Sequence, residues 1–279
     1  GELGHGGWTP IEVDAPRAVA NMCQHNVVSV VAGSNHTLAL TEDGSVWSCG
    51  RGRHGQLGHG NFHDTGPLQQ VQALKGVYVR GIVAGGAHAL AIDEDGLVWA
   101  WGDCRNGQLG LGDLSFMSLA GWENGAPWPC LVETMPRGTK VWAAAAGGHH
   151  SLFVSTTGRL LACGRARHGA LGIESANDRY KPTEVAIPCP GCRCGRGTCQ
   201  VLQCAAGGAH SLVLTACGRV LSAGCNSYGQ LGHGDRLQRS QFTEVVGLRG
   251  RKVRAVQAGE DHSGAVCANG DVWLWGRGE

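Results

Sequence analysis

Three groups of residues in this chain are of types that could do chemistry. The first is a glycine-rich string, "GQLGHG", at Gly55–Gly60 and again at Gly229–Gly234. Such a string holds phosphate when it leads from a strand into a helix N-terminus, whose amides face the anion. The second is five histidines, His36, His88, His150, His210 and His262, each closing an Ala-Gly-x-x-His string. Histidines that converge on one point can bind metal or move protons. The third is "CPGCRCGRGTC", with Cys189, Cys192, Cys194 and Cys199, and Cys204 close behind. Four thiolates can bind zinc, although the spacing is tighter than two separated Cys-x-x-Cys knuckles. Disulfide or redox chemistry and a plain loop are the alternatives.

Each of the first two strings recurs, and the recurrence governs how it is read. Relatives of the glycine string are "GELGHG" at Gly1, "GQLGLG" at Gly107 and "GALGIE" at Gly169. A hydrophobic run closing on glycine repeats as "VWSCG", "VWAWG", "LLACG", "VLSAG" and "VWLWG". The interval from the Ala-Gly glycine to the closing glycine is 17 residues in all five copies. The repeat period is 52, 62, 60 and 52 residues. The variation falls between Leu-Gly and the next Ala-Gly, so surface-loop insertions are expected near 113–140 and 173–200.

Inside each repeat the pattern is that of strands. "HTLALTEDGSVWSCG" reads as strand, turn at Glu42-Asp43-Gly44, strand, because Asp-Gly between apolar runs signals a hairpin. Further strands precede each Ala-Gly, as in "NVVSVVAG" and "GVYVRGIVAG", and no stretch has helical period. Glycine makes up 47 of the 279 residues, which suits many tight turns. The expected fold is all-β: one β-propeller domain over residues 1–279, with four-stranded blades and five repeats. The chain ends mid-repeat at "VWLWGRGE" and begins at "GELGHG", the portion that would come next. It therefore either closes as five blades sharing its termini or is a fragment of a larger ring. The start at Gly1 without methionine fits a processed product or an excised fragment.

A repeated string is a structural device before it is a site. No helix pattern follows any glycine string and no Gly-Lys-Ser/Thr is present, so phosphate binding is not expected. The leucines of these strings, Leu3, Leu57, Leu109, Leu171 and Leu231, are expected to plug between blades. One histidine per blade suggests a repeated buried hydrogen bond tying strand to loop. Trp47, Trp99 and Trp273 share a blade position with Leu161 and Leu221 and read as core. No cofactor is implied.

Bulk properties exclude more than they assign. The formal net charge is +1, which gives no global attraction to nucleic acid or membrane. No apolar run reaches the roughly 18 residues that span a bilayer. Most of the 13 cysteines sit singly in strand patterns, as at Cys49, Cys163 and Cys267, which fits an intracellular, cytoplasmic or nuclear, setting.

Function is expected where the repeats differ. After each closing glycine the chain reads Arg51-Gly-Arg53-His54, Asp103-Cys-Arg105-Asn106, Arg165-Ala-Arg167-His168 and Cys225-Asn-Ser-Tyr228. Equivalent loops share one end of a propeller. The expected partner-binding set is therefore Arg51, Arg53, His54, Arg105, Arg165, Arg167, His168 and Tyr228, with the arginines as a cationic arc for carboxylate or phosphate partners. Solvated loop charge is the alternative. A second basic run holds Arg236, Arg239, Arg249, Arg251, Lys252 and Arg254, and is either a solvated face or a DNA contact. Trp122 and Trp128 in the first insertion are open to partner contact, and no metal site is assigned beyond the cysteine alternative.

The ordered set Ala-Gly-x-x-His, Asp-Gly hairpin, Val-Trp-x-x-Gly and Gly-Gln-Leu-Gly-x-Gly resembles the repeats of the regulator of chromosome condensation family, over essentially the whole chain. That resemblance implies a propeller, typically of seven blades, of which this chain would hold five. It also implies a non-catalytic protein-interaction scaffold, free-standing or part of a larger protein. Guanine-nucleotide exchange on a small GTPase and a chromatin or DNA adaptor are the alternatives. A light-sensing branch of the family carries tryptophan and arginine just before the repeat histidine. The residues there are Ser34-Asn35, Gly86-Ala87, Gly148-His149, Gly208-Ala209 and Glu260-Asp261, so light sensing is not expected.

Overall fold

A computed structural model describes residues 1–6, 13–112, 125–188 and 198–278. The chain divides into two compact units, Gly1–Arg105 with Asp113–Glu133, and Asn106–Gly112 with Thr134–Glu279. The first unit holds two antiparallel sheets. One is β1 (Val27–Ala32), β2 (His36–Thr41), β3 (Val46–Gly50) and β4 (Thr65–Gln70); the other is β5 (Val79–Ala84), β6 (His88–Asp93), β7 (Val98–Gly102) and β8 (Ala126–Leu131). The second unit holds β9 (Val141–Ala146), β10 (His150–Ser155), β11 (Leu160–Gly164) and β12 (Arg179–Val185), then β13 (Val201–Ala206), β14 (His210–Thr215), β15 (Val220–Gly224) and β16 (Arg239–Glu244). Its last sheet is β17 (Val253–Ala258), β18 (His262–Cys267) and β19 (Val272–Gly276). Each sheet is a meander in chain order, the blade of a β-propeller.

The constant 17-residue interval is a register constraint. In every blade the repeat histidine pairs directly with the closing glycine across the hairpin: His36 with Gly50, His88 with Gly102, His150 with Gly164, His210 with Gly224 and His262 with Gly276. A one-residue change would turn one strand's apolar face outward. The fourth strands lack such regularity. Pro67, Pro127, Pro129 and Pro182 lie in them, which an outer edge tolerates because it needs fewer N–H donors. Strands β8 and β12 fall inside the spans near 113–140 and 173–200. Those spans are thus partly blade; the rest of the surplus includes 113–124 and 189–197, outside the described residues.

The cores lie between blades. Leu38, Leu40 and Val46 of the first blade meet Val79, Ile82 and Trp101 of the second. Leu152, Leu160 and Ala162 meet Val201, Cys204 and Val213, and Leu212, Leu214 and Val220 meet Val253, Val256 and Ala265. Leu57, Leu109, Leu171 and Leu231 of the glycine strings are fully buried, each contributing roughly 2 kcal/mol, and Leu171 joins the seam between the third and fourth blades. Leu3, by contrast, is 53 % exposed and does not plug a seam as expected. Apolar faces are also open at β1 (Val28, Val30) and at β19 (Val272, Leu274). Trp47, Trp99 and Trp273 are half-buried rather than core, packed at the flank of each cluster.

The glycine strings are straps. Gln56 carbonyl accepts the Trp101 Nε1–H of the next blade at 2.9 Å, and Gln230 carbonyl accepts the Trp275 Nε1–H at 2.8 Å. Glu2 carbonyl accepts the Thr37 hydroxyl at 2.8 Å, so the first string docks on the first blade in the same manner.

Two of the repeat histidines, His150 and His210, tie blade to blade rather than strand to loop alone, whereas His262 is exposed and departs from the expected buried position. His150 Nε2 lies 2.8 Å from Ser211 Oγ of the next blade, and Ser211 donates to the Ala170 carbonyl at 2.6 Å. His210 Nε2 meets Ser263 Oγ at 2.8 Å, and Ser263 donates to the Gln230 carbonyl at 2.8 Å. Each hydroxyl has one proton and gives it to the carbonyl, so Nε2 carries the imidazole proton. In the first unit Ala89 occupies the serine position. Neither ring nitrogen of His36 then meets a partner in hydrogen-bond geometry, although the His88 backbone lies near. Ala89→Ser should supply the missing acceptor and raise stability by about 1 kcal/mol. Ser211→Ala, which strands His150 Nε2–H, should lower it by about 1–3 kcal/mol. Denaturant midpoints of the two variants should move in opposite directions.

Candidate functional site

Each loop after a closing glycine is held rigid by its backbone. The first loop residue donates its N–H to the residue before the repeat histidine: Arg51 to Asn35, Asp103 to Ala87, Arg165 to His149, Cys225 to Ala209 and Arg277 to Asp261, at 2.8–2.9 Å. The second is anchored by an aspartate further on, as Gly52 N–H to Asp64 Oδ1 and Ala166 N–H to Asp178 Oδ1, both 2.9 Å. The fourth donates to the glutamine of the glycine string: His54 to Gln56, Asn106 to Gln108 and Tyr228 to Gln230, each 2.9 Å. The glutamine of Gly-Gln-Leu-Gly therefore serves the loop with its side chain and the next blade with its carbonyl.

The third blade has Ala170 where the first, second and fourth have glutamine, and its loop is built differently. Arg167–Gly169 forms a short 3-10 turn, with His168 in left-handed backbone at φ 66°. No other non-glycine residue among those described has positive φ. Without the side-chain acceptor, the chain adopts a conformation that costs about 1–2 kcal/mol in an L-residue.

With the backbone engaged, side chains at the remaining positions face outward. In the first unit Arg51 and Arg53 are exposed and form no ion pair among the described residues, while His54 is half-buried. Arg105 is engaged differently: Nε and Nη2 grip Asp103 Oδ1 and Oδ2 at 2.9 and 3.0 Å. Burial raises the Asp103 carboxyl, but the hydrogen bonds and charge of Arg105 bring it below its ordinary value. Much of the Arg105 charge is thus balanced inside its own loop. In the second unit Arg167 and His168 are exposed and Arg165 is half-buried; His168 Nδ1 lies 3.4 Å from Gln238 Oε1. Tyr228 is exposed, with the Arg277 guanidinium 5.0 Å from its ring centroid, and Arg277 is itself 3.8 Å from Asp261. Arg277 closes the chain's last repeat, and its contact with Tyr228 was not readable from loop composition alone.

The other sequence candidates are placed as follows. Trp128 is on β8, 41 % exposed, and covers Gly60: a Cβ there would lie 1.9 Å from its ring. Trp122, Cys189, Cys192 and Cys194 lie outside the described residues, and Cys199 is buried at the approach to β13. Among the described residues no group of three or more potential ligands could hold a metal ion. The basic run is partly engaged: Arg239 pairs with Asp235 at 2.6 Å, Arg249 with Glu244 at 2.7 Å, and Arg251 stacks on Trp273. Arg236, Lys252 and Arg254 are exposed. No helix among the described residues is long and apolar enough to cross a membrane.

The buried Ser–His pairs resemble a nucleophile and its base only in distance. Burial lowers the His150 pKa to about 3 and the His210 pKa to about 4, and each serine proton already goes to a carbonyl.

Comparison with known proteins agrees with this architecture. The chain is 31 % identical over 277 residues to the ultraviolet-B receptor UVR8 of Arabidopsis thaliana, covering 99 % of this chain and 58 % of that protein. It is 30 % identical over 277 residues to the human E3 ubiquitin-protein ligase HERC2, covering 98 % of this chain and 5 % of that protein. Among solved structures, Prp20p of Saccharomyces cerevisiae superposes with a TM-score of 0.74 at 25 % identity, over 94 % of this chain and 60 % of that one. Human WBSCR16 gives 0.73 at 26 % identity, over 91 % and 58 %. The chain thus spans under two thirds of each of these relatives. The family model described as RCC1-like domain matches residues 1–279, and with blades, straps and repeat histidines of this kind the chain belongs to the RCC1-like domain family.

Proposed function

We propose that this domain is a non-catalytic protein-interaction module whose partner docks on the loops that follow the closing glycines. The observation that carries the reading is the contrast within those loops. The backbone is hydrogen-bonded at nearly every position, while Arg51, Arg53 and Arg167 project into solvent without an ion pair among the described residues. A pre-ordered loop backbone loses little freedom on binding, and the planar arginine forks suit carboxylates. The partner is a protein with an acidic docking surface.

A small GTPase is the first partner to test, because Prp20p has binding properties toward Gsp1p and histones. A nucleic-acid partner is less favoured, since Arg239 and Arg249 already pair with carboxylates. The similarity to UVR8 is not extended to photoreception, because no tryptophan stands in the two positions before any repeat histidine. The ligase activity in the name of HERC2 is not extended either, because the chain spans 5 % of that protein.

Two charge-reversed variants test the reading separately in each unit: Arg51→Glu with Arg53→Glu, and Arg165→Glu with Arg167→Glu. Binding to a panel of small GTPases, nucleotide-free and GDP-loaded, is measured at two salt concentrations. Loss of about ten-fold or more in affinity, with unchanged thermal stability, supports the loop surface. Faster GDP release with the unaltered chain supports exchange activity. Unchanged affinity in both variants refutes the loop surface.

A further inference from the structure

Cys199 and Cys217 belong to different sequence patterns but stand opposite one another in the fold. Strand β13 pairs with β14 with Val201 facing Thr215, and the ladder continues as Ala216 N–H donates to the Gln200 carbonyl at 2.8 Å. Two residues beyond Val201 and Thr215, the same register places Cys199 against Cys217. Their Sγ atoms are 2.9 Å apart, under 1 Å beyond the about 2.05 Å of an S–S bond. Cys199 is buried and Cys217 is exposed.

The surroundings differ on the two sides. Cys199 sits at the neck of the cysteine-rich segment, where Pro188 and Thr198 bridge and Cys199 N–H donates to the Ile187 carbonyl at 3.2 Å. Cys217 lines an open cavity of about 330 Å³ together with Arg219, Glu244, Arg249, Arg251 and Lys252. Four cations against one carboxylate attract an anionic reagent to the exposed sulfur.

We propose that Cys217 and Cys199 form a dithiol–disulfide pair that reacts with an anionic low-molecular-weight disulfide of the glutathione type. The Cys217 thiolate, its proton lost to solvent, attacks one sulfur of the reagent and expels a thiolate, leaving a mixed disulfide on Cys217. The Cys199 thiolate then attacks Cys217 Sγ, forming the Cys199–Cys217 bond and expelling the second thiolate, and both expelled thiolates take protons from water. Two protein thiols are oxidised and one small disulfide is reduced to two thiols. The bond staples the neck of the cysteine-rich segment to the β14–β15 hairpin.

The test uses the whole chain, equilibrated with mixtures of oxidised and reduced glutathione, acid-quenched, alkylated and mapped by mass spectrometry. The unaltered chain should yield a Cys199–Cys217 cross-linked peptide. Cys199→Ser should hold the Cys217 mixed disulfide about ten-fold longer or more, because the intramolecular step is gone. Cys217→Ser should leave the buried Cys199 alkylatable only after unfolding. Arg251→Glu with Lys252→Glu should slow the reaction with oxidised glutathione but not with an uncharged disulfide such as hydroxyethyl disulfide. The proposal is overturned if Cys217 cross-links to Cys189, Cys192 or Cys194. It is also overturned if both thiols stay reduced in oxidising mixtures, or if elemental analysis finds a stoichiometric metal that blocks both.

Discussion

Gly147→Ala is expected to lower stability by about 3 kcal/mol or more, at the upper end of what overpacking a core does. The reason is space. Gly147 N–H donates to the His150 carbonyl at 2.9 Å, and this turn folds the imidazole back over the glycine Cα. A Cβ on Gly147 would lie 2.3 Å from His150 Cε1 and 2.4 Å from the Gly207 carbonyl oxygen of the next blade. A side chain can swing aside, but the carbonyl belongs to the neighbouring blade's own Ala-Gly-x-x-His turn, so relief requires separating two blades. The same carbonyl approach recurs at Gly33 from Gly85, at 2.5 Å, and at Gly207 from Gly259, at 2.4 Å. Gly218→Ala is the control: its φ is +75° and nothing lies within 4 Å of the added carbon, so only backbone strain of about 1 kcal/mol applies. Urea titrations of both variants decide the matter. Equal losses would show that the seam tolerates a methyl group and that the close approach is not what the motif protects. Adding His150→Ala to Gly147→Ala should recover little, because the carbonyl clash remains.

Acidification from pH 7 to pH 5 is expected to destabilise the protein by up to about 6 kcal/mol, a loss comparable to the whole stability of many domains. Burial lowers the pKa of His36 to about 4, of His150 to about 3 and of His210 to about 4. For His150 and His210 a neighbouring histidine charge lowers it further. In the unfolded chain these rings take up protons near pH 6.5, while in the fold they stay neutral. The unfolded state therefore binds more protons as pH falls through 6.5 toward 4, and the stability present above that window is lost across it. Each ring contributes about 2 kcal/mol by pH 5. The paired carboxylates Asp103 and Glu244, held below their ordinary values, act at lower pH and leave this window to the histidines. Thermal unfolding at pH 7, 6 and 5 and constant ionic strength measures the effect. His150→Gln should destabilise at pH 7 yet flatten the pH dependence by about a third. A midpoint that does not move between pH 7 and 5 would mean that the rings are protonated or hydrated in the fold.

The blades, the hairpins, the interval from histidine to closing glycine and the burial of four of the five string leucines were legible in the residue order, while Leu3 is exposed. They obey period-two alternation and a hairpin register that five copies repeat. The structural role of "GQLGHG" was legible for the same reason: a string needed once per blade serves the blade. The places of the fourth strands were not, because prolines lie in three of the four, and two of them were hidden in spans that looked like insertions.

For the site, residue order alone marks which positions vary and that they are rich in arginine, since variation stands out against a repeated frame. Which charges remain open depends on how the loops fold. Arg105 lies two residues from Asp103 in a loop whose turn closes them into a bidentate pair, whereas Arg51 and Arg53 form no ion pair among the described residues, the charge of Arg51 acting on Glu2 only at longer range. The partners of His150 and His210 were equally invisible, because each serine lies on the next blade, 61 or 53 residues away. Spacing along the chain sets what a strand does to its own hairpin, whereas contacts between blades depend on how sheets stack. That is why Ala89 opposite His36, and Cys217 opposite Cys199, became visible only once the sheets were in register.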